Sequence, residues 1–388
     1  MKNILYGNGI QDDYPAIQEL LDSGISEVVL PAPEKEYVIS KTLKIHGGQT
    51  LRLGATTRIR LTKMANCAMI EDCDFTEWKE DIVIDGGIWD MNHNHQDPNP
   101  WHFPGANGKT SRDVLKERGF GEEPWGGCFT AFPDVYTGFC MRFCRIRRFT
   151  LKNVTIENPV TYGAQLGYIE YFTVENIRFN YTEGSPKKWN MDGIHLEGYC
   201  KHGVIRNLQG ACHDDLVALT ADDGLYGPIS NVVIDGIYAD GCLGAVRLLS
   251  HGLPVENVRI SNIYGTYYSR AVCLTKYHGG EEERGFMKNI TISDIMASTC
   301  EGTEDVRPSN PRLFWVQKGV DVENLRIERV RRDETYSVAP LLLIEEGACV
   351  KRLRLKDISQ KNLTDKKVAF LQIDGEIIDG VYEDLQEE

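Results

Sequence analysis

The sequence predicts an all-β fold: a single-stranded parallel β-helix, or solenoid, with a capping α-helix at its N-terminus. Three observations carry this prediction. A short unit of alternating apolar residues around an Asn recurs from residue 81 onward. Most successive copies lie about 23 to 35 residues apart, the range in which a repeated period signals a solenoid. The alternation has period 2, which suits strands with one face inward; helical repeats would need apolar residues three and four apart over ten or more positions.

The copies are Phe149–Ile156 around Asn153, Phe172–Phe179 around Asn176, Gly203–Leu208 around Asn207, Val255–Ile260 around Asn257, Met287–Ile292 around Asn289, Val322–Ile327 around Asn324, and Val350–Leu355. One unit cannot bury its apolar face alone, and stacking supplies the missing neighbour. An Asn recurring at one corner suits a left-handed backbone position, from which it can hydrogen-bond to the Asn of the next coil. Turn asparagines in an ordinary β-sandwich would give no reason for one unit to recur so often.

Ahead of the repeats, Asp12 or Asp13 is placed to cap a helix with Pro15 in its first turn, an apolar stripe of Ile17, Leu20 and Leu21, and Gly24 at its end. Short strands follow at Glu27–Leu30, Tyr37–Ile39, Thr42–Ile45, Thr50–Leu53 and Thr57–Leu61, separated by Pro, Gly or charged turns. The expected organisation is one β-helix domain over residues 1–388, with residues 1–30 as the helical cap. Two stretches break the repeat. Residues 92–130 carry little alternation and read as a long loop insertion beside a cleft, and Tyr277–Gly285 is a shorter one.

The 388 residues include 41% hydrophobic side chains, enough for a sizeable core. A formal charge of −14 argues against nucleic-acid binding, because phosphates need neutralising cations. No stretch has the roughly 18 to 20 apolar residues of a membrane helix, and the N-terminus enters a polar turn without a signal-like apolar region. A cytoplasmic protein is expected. The eleven cysteines lack the paired short spacings of zinc sites and read as reduced, mostly core thiols. No metal or other cofactor is expected.

The chemistry concentrates between Trp189 and Asp223. Four runs align by their apolar alternation: Asp192–Leu196, Asp215–Leu219, Gly244–Leu248 and Arg270–Leu274. In that register Ile194, Val217, Val246 and Val272 share an inward column. Asp192, Asp215, Gly244 and Arg270 line one edge, and His195, Ala218, Arg247 and Cys273 point outward, open to a ligand. Three carboxylates, Asp192, Asp214 and Asp215, then crowd one surface, where like charges must share protons or find cations. Arg247, Arg270 and Lys276 flank them. A turn-capping or calcium-binding role is the plain alternative for these carboxylates. Asp222 and Asp223, followed by Gly, read as turn residues. Trp101, Trp125, Trp189 and Trp315 are possible sugar platforms, with Trp189 the best placed.

The opening Gly-x-Gly, Asp-Asp and Ala-Ile-Gln helix resembles the start of many proteins of the pectin-lyase-like superfamily. Asn190-Met-Asp192-Gly193 and Asp214-Asp215 resemble the Asn-x-Asp-Gly and Asp-Asp motifs of family 28 glycoside hydrolases, the polygalacturonases. The resemblance implies a right-handed parallel β-helix and hydrolysis with inversion. It assigns the general acid to Asp214, and the holding and activation of water to Asp192 and Asp215. Inversion asks for an acid and a base carboxyl roughly 6.5 to 9.5 Å apart, and crowding would separate their pKa values. Asn190 would orient a base or the sugar. The family's Gly-His-Gly falls at Leu243-Gly244-Ala245, without its histidine, leaving His195, His213 and the His251 of Ser250-His251-Gly252 as candidates. Its Arg-x-Lys falls at Cys273-Leu274-Thr275. The expected function is therefore a glycoside hydrolase acting on a small oligosaccharide or glycoside. A β-helix lyase or transglycosylase, and a non-catalytic carbohydrate-binding β-helix, are the alternatives.

Overall fold

The computed structural model describes residues 3–119, 135–181, 188–222, 224–277, 280, 282–302 and 311–388. The chain divides into two compact units, Met1–His195 and Leu196–Glu388, each built from stacked coils of parallel strands. Among the described residues no helix is long and apolar enough to cross a membrane.

In the first unit the expected helix forms at Tyr14–Asp22 and buries Ala16, Ile17 and Leu21. At its start Asp12, one of the two expected caps, accepts from the first helical amide, that of Tyr14, at 3.0 Å. The Asp13 side chain makes no helix cap; it accepts hydrogen bonds from the amides of Tyr6 at 2.6 Å, Gly7 at 3.0 Å and Val38 at 3.0 Å. The carboxylate thus ties the terminal segment to the strand Tyr37–Ile39 rather than satisfying the helix. Gln18 fixes the other end of the contact, exchanging hydrogen bonds with the backbone of Lys44.

Register then sets charge against charge. Lys44, Glu71, Arg142 and Gln165 succeed one another on adjacent strands. Lys44 pairs with Glu71, and Arg142 donates through Nε to Gln165 at 3.3 Å. One position further along, Asp72 is out of solvent; burial pushes its carboxyl up to about 7, with Lys79 at 2.9 Å pulling the other way.

The insertion is more ordered than its sequence suggests. Residues 92–119 contain a 3-10 turn at His93–His95 and a helix at Ser111–Glu117. Thr110 and Asp113 form a capping box there, a readable signal that the loop assignment passed over. Trp101 packs with Leu115, Val135 and Phe139, making it a core residue rather than a sugar platform. Residues 120–130 of the predicted insertion, with Trp125, lie outside the described residues.

In the second unit the aligned runs take the predicted register: Asp215 opposite Gly244 and Arg270, Val217 opposite Val246 and Val272, and Leu219 opposite Leu248 and Leu274. The inward column continues through Phe314 and Leu342, all buried.

The corners need correction. Among the described residues of the second unit, left-handed asparagines and their counterparts fall in two corner columns five positions apart, where the sequence suggested one. His202, Asn231, Asn257, Asn289 and Asn324 occupy the first, and Asn207, Gly236, Asn262, Asp294 and Arg329 the second, all at positive φ. Asn207 therefore does not stack with Asn231. The first column carries the expected amide ladder: Asn257 donates to Asn231 at 3.1 Å, Asn289 to Asn257 at 2.8 Å, and Asn324 to Asn289 at 2.6 Å. Arg352 ends it by donating to Asn324.

Candidate active site

Asn190 and Asp192 stand at the end of the first unit. Asn190 is left-handed, φ 56°, so its amide turns toward the insertion, where Asn99 at 3.2 Å and His102 at 3.0 Å reach its Oδ1. Asn99 also donates to the Trp189 carbonyl at 2.8 Å. Trp189 is 45% exposed and packs against His102 and Phe103. Burial, and then the Arg112 guanidinium, hold His102 below the ordinary histidine range. The insertion thus walls the Asn190 motif. Asn99 and His102 were not singled out from sequence; the only signal was the aromatic cluster Trp101-His102-Phe103.

Asp192 is buried and meets His195, its Oδ2 lying 2.6 Å from His195 Nδ1. This contact fixes the orientation of the His195 ring. The backbone carbonyl of Asp192 is pinned by Gly163 N at 2.8 Å and the Tyr181 hydroxyl at 3.0 Å. His195 is not an outward, solvent-facing residue as expected. It is fully buried because Tyr162 stacks on it, ring centroids 4.1 Å apart, with Phe139 stacked on Tyr162 in turn. Nothing in the local sequence announces that cover.

In the second unit Asp215 is fully buried between two arginines. Arg270 Nη2 donates to Oδ1 at 2.9 Å and Oδ2 at 3.1 Å, and Arg247 Nε lies 2.6 Å from Oδ2. Burial pulls Arg270 down, but Asp215 more than offsets it and holds the guanidinium well above its ordinary value. Of the two outcomes expected of crowded carboxylates, sharing protons or finding cations, Asp215 takes the second, with the expected Arg247 and Arg270 as its partners. Asp214 is half-buried, and its Oδ1 accepts from the Asp215 amide at 3.1 Å. His213 is half-buried beside it.

The column expected to face a ligand is closed. Ala218 and Cys273 are fully buried, burial pushing the Cys273 thiol up to about 12, and Arg247 is only 8% exposed. Tyr277 folds back over this face, its ring under the Arg247 guanidinium at 5.6 Å and beside Trp315. Trp315 is anchored by Glu345 at 2.9 Å.

Two candidates lie elsewhere. His251 sits past the end of the strand that carries Arg247, its amide and that of Leu253 bound by Asp222, the turn role expected of Asp222. Lys276 donates to the Gly280 carbonyl at 2.6 Å instead of turning to Asp215. Asp223 lies outside the described residues. Among the described residues no group of three or more His, Cys, Asp or Glu side chains is arranged to hold a metal ion.

No protein-family profile and no curated protein matches the chain. Solved structures do. An exopolygalacturonase from Thermotoga maritima superposes with a TM-score of 0.62 at 18% identity, covering 98% of this chain and 90% of that one. PfbA, a surface adhesin of Streptococcus pneumoniae, gives 0.60 at 14% identity over 98% and 91%. A mutant tailspike protein of E. coli bacteriophage HK620 gives 0.65 at 11% identity, over 97% of this chain and 64% of that one. At such identities the likeness establishes the fold: the protein is a right-handed parallel β-helix.

Proposed function

We propose that the protein is a glycoside hydrolase that cleaves a small oligosaccharide or glycoside with inversion, with Asp214 as general acid. The observation that carries this reading is the division of labour within the Asp214–Asp215 pair. Both oxygens of Asp215 already accept from arginine in full burial, whereas Asp214 is half-buried. Of the two, Asp214 is the residue to which we assign the proton transfer to a leaving oxygen. Asp215 then acts by positioning Arg247 and Arg270. The water-activating role falls to Asp192, oriented by His195. Polygalacturonases among the similar structures support a carbohydrate substrate.

The lyase alternative needs a free basic side chain, and the Asp215 contacts of Arg247 and Arg270 count against both. Carbohydrate binding without turnover is favoured by one observation, the burial of Asp192 and Asp215. Screening aryl glycosides and pectic oligosaccharides, with proton NMR of the first product, separates these readings. Hydrolysis with inversion, lost by roughly 100-fold or more in Asp214→Asn, is expected. Unchanged turnover in that variant would remove the assigned acid, and binding without any product would favour the second reading.

A further inference from the structure

We propose that Cys212 and Cys242 are a redox modification site, forming a reversible disulfide that clamps the backbone carrying Asp214. Their sulfurs lie 3.6 Å apart on successive coils of the second unit. The sulfurs are already in contact, and closure to roughly 2.05 Å asks for a further approach of about 1.5 Å.

Both sulfurs converge on the same peptide. Cys212 Sγ donates to the Asp214 carbonyl at 3.1 Å, and Cys242 Sγ lies 3.9 Å from that oxygen and 3.5 Å from the Cys212 carbonyl. Cys242 also sits where the ladder is irregular: register shifts on either side of it, between Ala239 and Cys242 and between Cys242 and Gly244. These shifts lie in the pairing with the following coil, which resumes at Gly244 opposite Arg270; toward the coil of Cys212, pairing is regular again from Asp215 opposite Gly244. A bulge is where a strand gives most easily, so the small approach the sulfurs need falls at the most yielding point of the coil.

The chemistry balances with a peroxide as oxidant. One thiolate attacks a peroxide oxygen, the O–O bond breaks, and a sulfenic acid forms as the other oxygen leaves as water with the thiol's proton. The second thiol then attacks that sulfur and its hydroxyl leaves as a second water. Two thiols lose two electrons to become one disulfide, and hydrogen peroxide becomes two waters. Both sulfurs are buried, so the oxidant must be small. In the bridged state the Asp214 carbonyl loses its Cys212 S–H donor, and the segment 212–215 is tied to the next coil.

The test uses the full chain, reduced with dithiothreitol, freed of reductant and treated with hydrogen peroxide. Intact mass is expected to fall by two hydrogens, a linked peptide to join Cys212 to Cys242, and dithiothreitol to reverse both. Cys242→Ala is expected to lose the linked species. Thiols at 212 and 242 that still take an alkylating label fully after peroxide and unfolding, or a bridge joining other cysteines, would overturn the proposal without needing any variant to fold. The effect on turnover rests on the hydrolase reading, with at least a tenfold fall on oxidation. A bridge that forms in a protein hydrolysing nothing would count against that reading while leaving the modification site intact. A bridge that forms with turnover unchanged would overturn the clamp on Asp214.

Discussion

One nitrogen of the Arg270 guanidinium bridges both carboxylate oxygens of Asp215, at 2.9 and 3.1 Å, with the carboxylate wholly out of solvent. Removing the carboxylate strands two nearly buried cations, a loss that typically costs about 3–5 kcal/mol. Asp215→Asn is expected to lower stability by that much in urea unfolding. Asp214→Asn, at a half-buried position, is expected to cost under about 1 kcal/mol. Equal stability of the two variants would mean that the arginine contacts hold nothing in place.

Asp72 gives a pH dependence whose direction can be worked out. Its carboxyl is raised from 3.8 to about 7 by burial, so the folded chain binds a proton that the unfolded chain has already released between those values. Its contribution to stability is therefore fully present below about pH 4, falls as pH rises toward 7, and is level above that. Asp72→Asn is expected to flatten this part of a stability profile taken from pH 4 to 8, by a few kcal/mol at most. A wild-type profile that rises through the window in step with the variant would contradict the assignment.

Asn289 holds the middle of the amide ladder, donating to Asn257 and accepting from Asn324 at a left-handed φ of 53°. Asn289→Ala loses both hydrogen bonds and adds backbone strain, for about 2–3 kcal/mol together. Asn289→Gly removes the strain and is expected to recover about 1 kcal/mol. Thermal unfolding of the three proteins in parallel reads the difference. Indistinguishable midpoints would mean that the corner is not set by its side chain.

Trp101 of the insertion and Trp189, which packs against it, should behave oppositely. Trp189 is 45% exposed and Trp101 is 5% exposed within an apolar cluster. Trp101→Ala is expected to cost about 3–5 kcal/mol of stability. Trp189→Ala is expected to leave stability nearly unchanged and to raise KM for a cleaved glycoside roughly tenfold, as loss of a stacking face does. Unchanged KM would retire Trp189 as a platform.

What sequence made legible here was whatever period-2 alternation controls. The alignment of Asp215, Gly244 and Arg270 was readable because one slip would turn Val217, Val246 and Val272 outward. The corners were readable only in kind. An Asn is equally at home at either left-handed position, so Asn207 and Asn257 looked equivalent though they stand in different columns. The burial of His195 was not readable, because Tyr162, which covers it, lies on a different coil with no local mark of its role. Arg270 was placed correctly beside Asp215, but period and pattern carry no information on whether a cation at that edge stays open or closes onto the acid.

The corner columns also explain why the coils differ so much in length. One coil runs from Gly244 to Arg270 and the next from Arg270 to Arg312, yet both return to the same rung. Two left-handed residues five positions apart fix the turn through which each coil must pass, and the excursions between sheets are free to lengthen at the modest entropic cost of a longer loop. Such a frame accepts added length between one strand and the next without shifting its ladders. Its working surface is therefore replaceable piece by piece while the stack beneath stays the same.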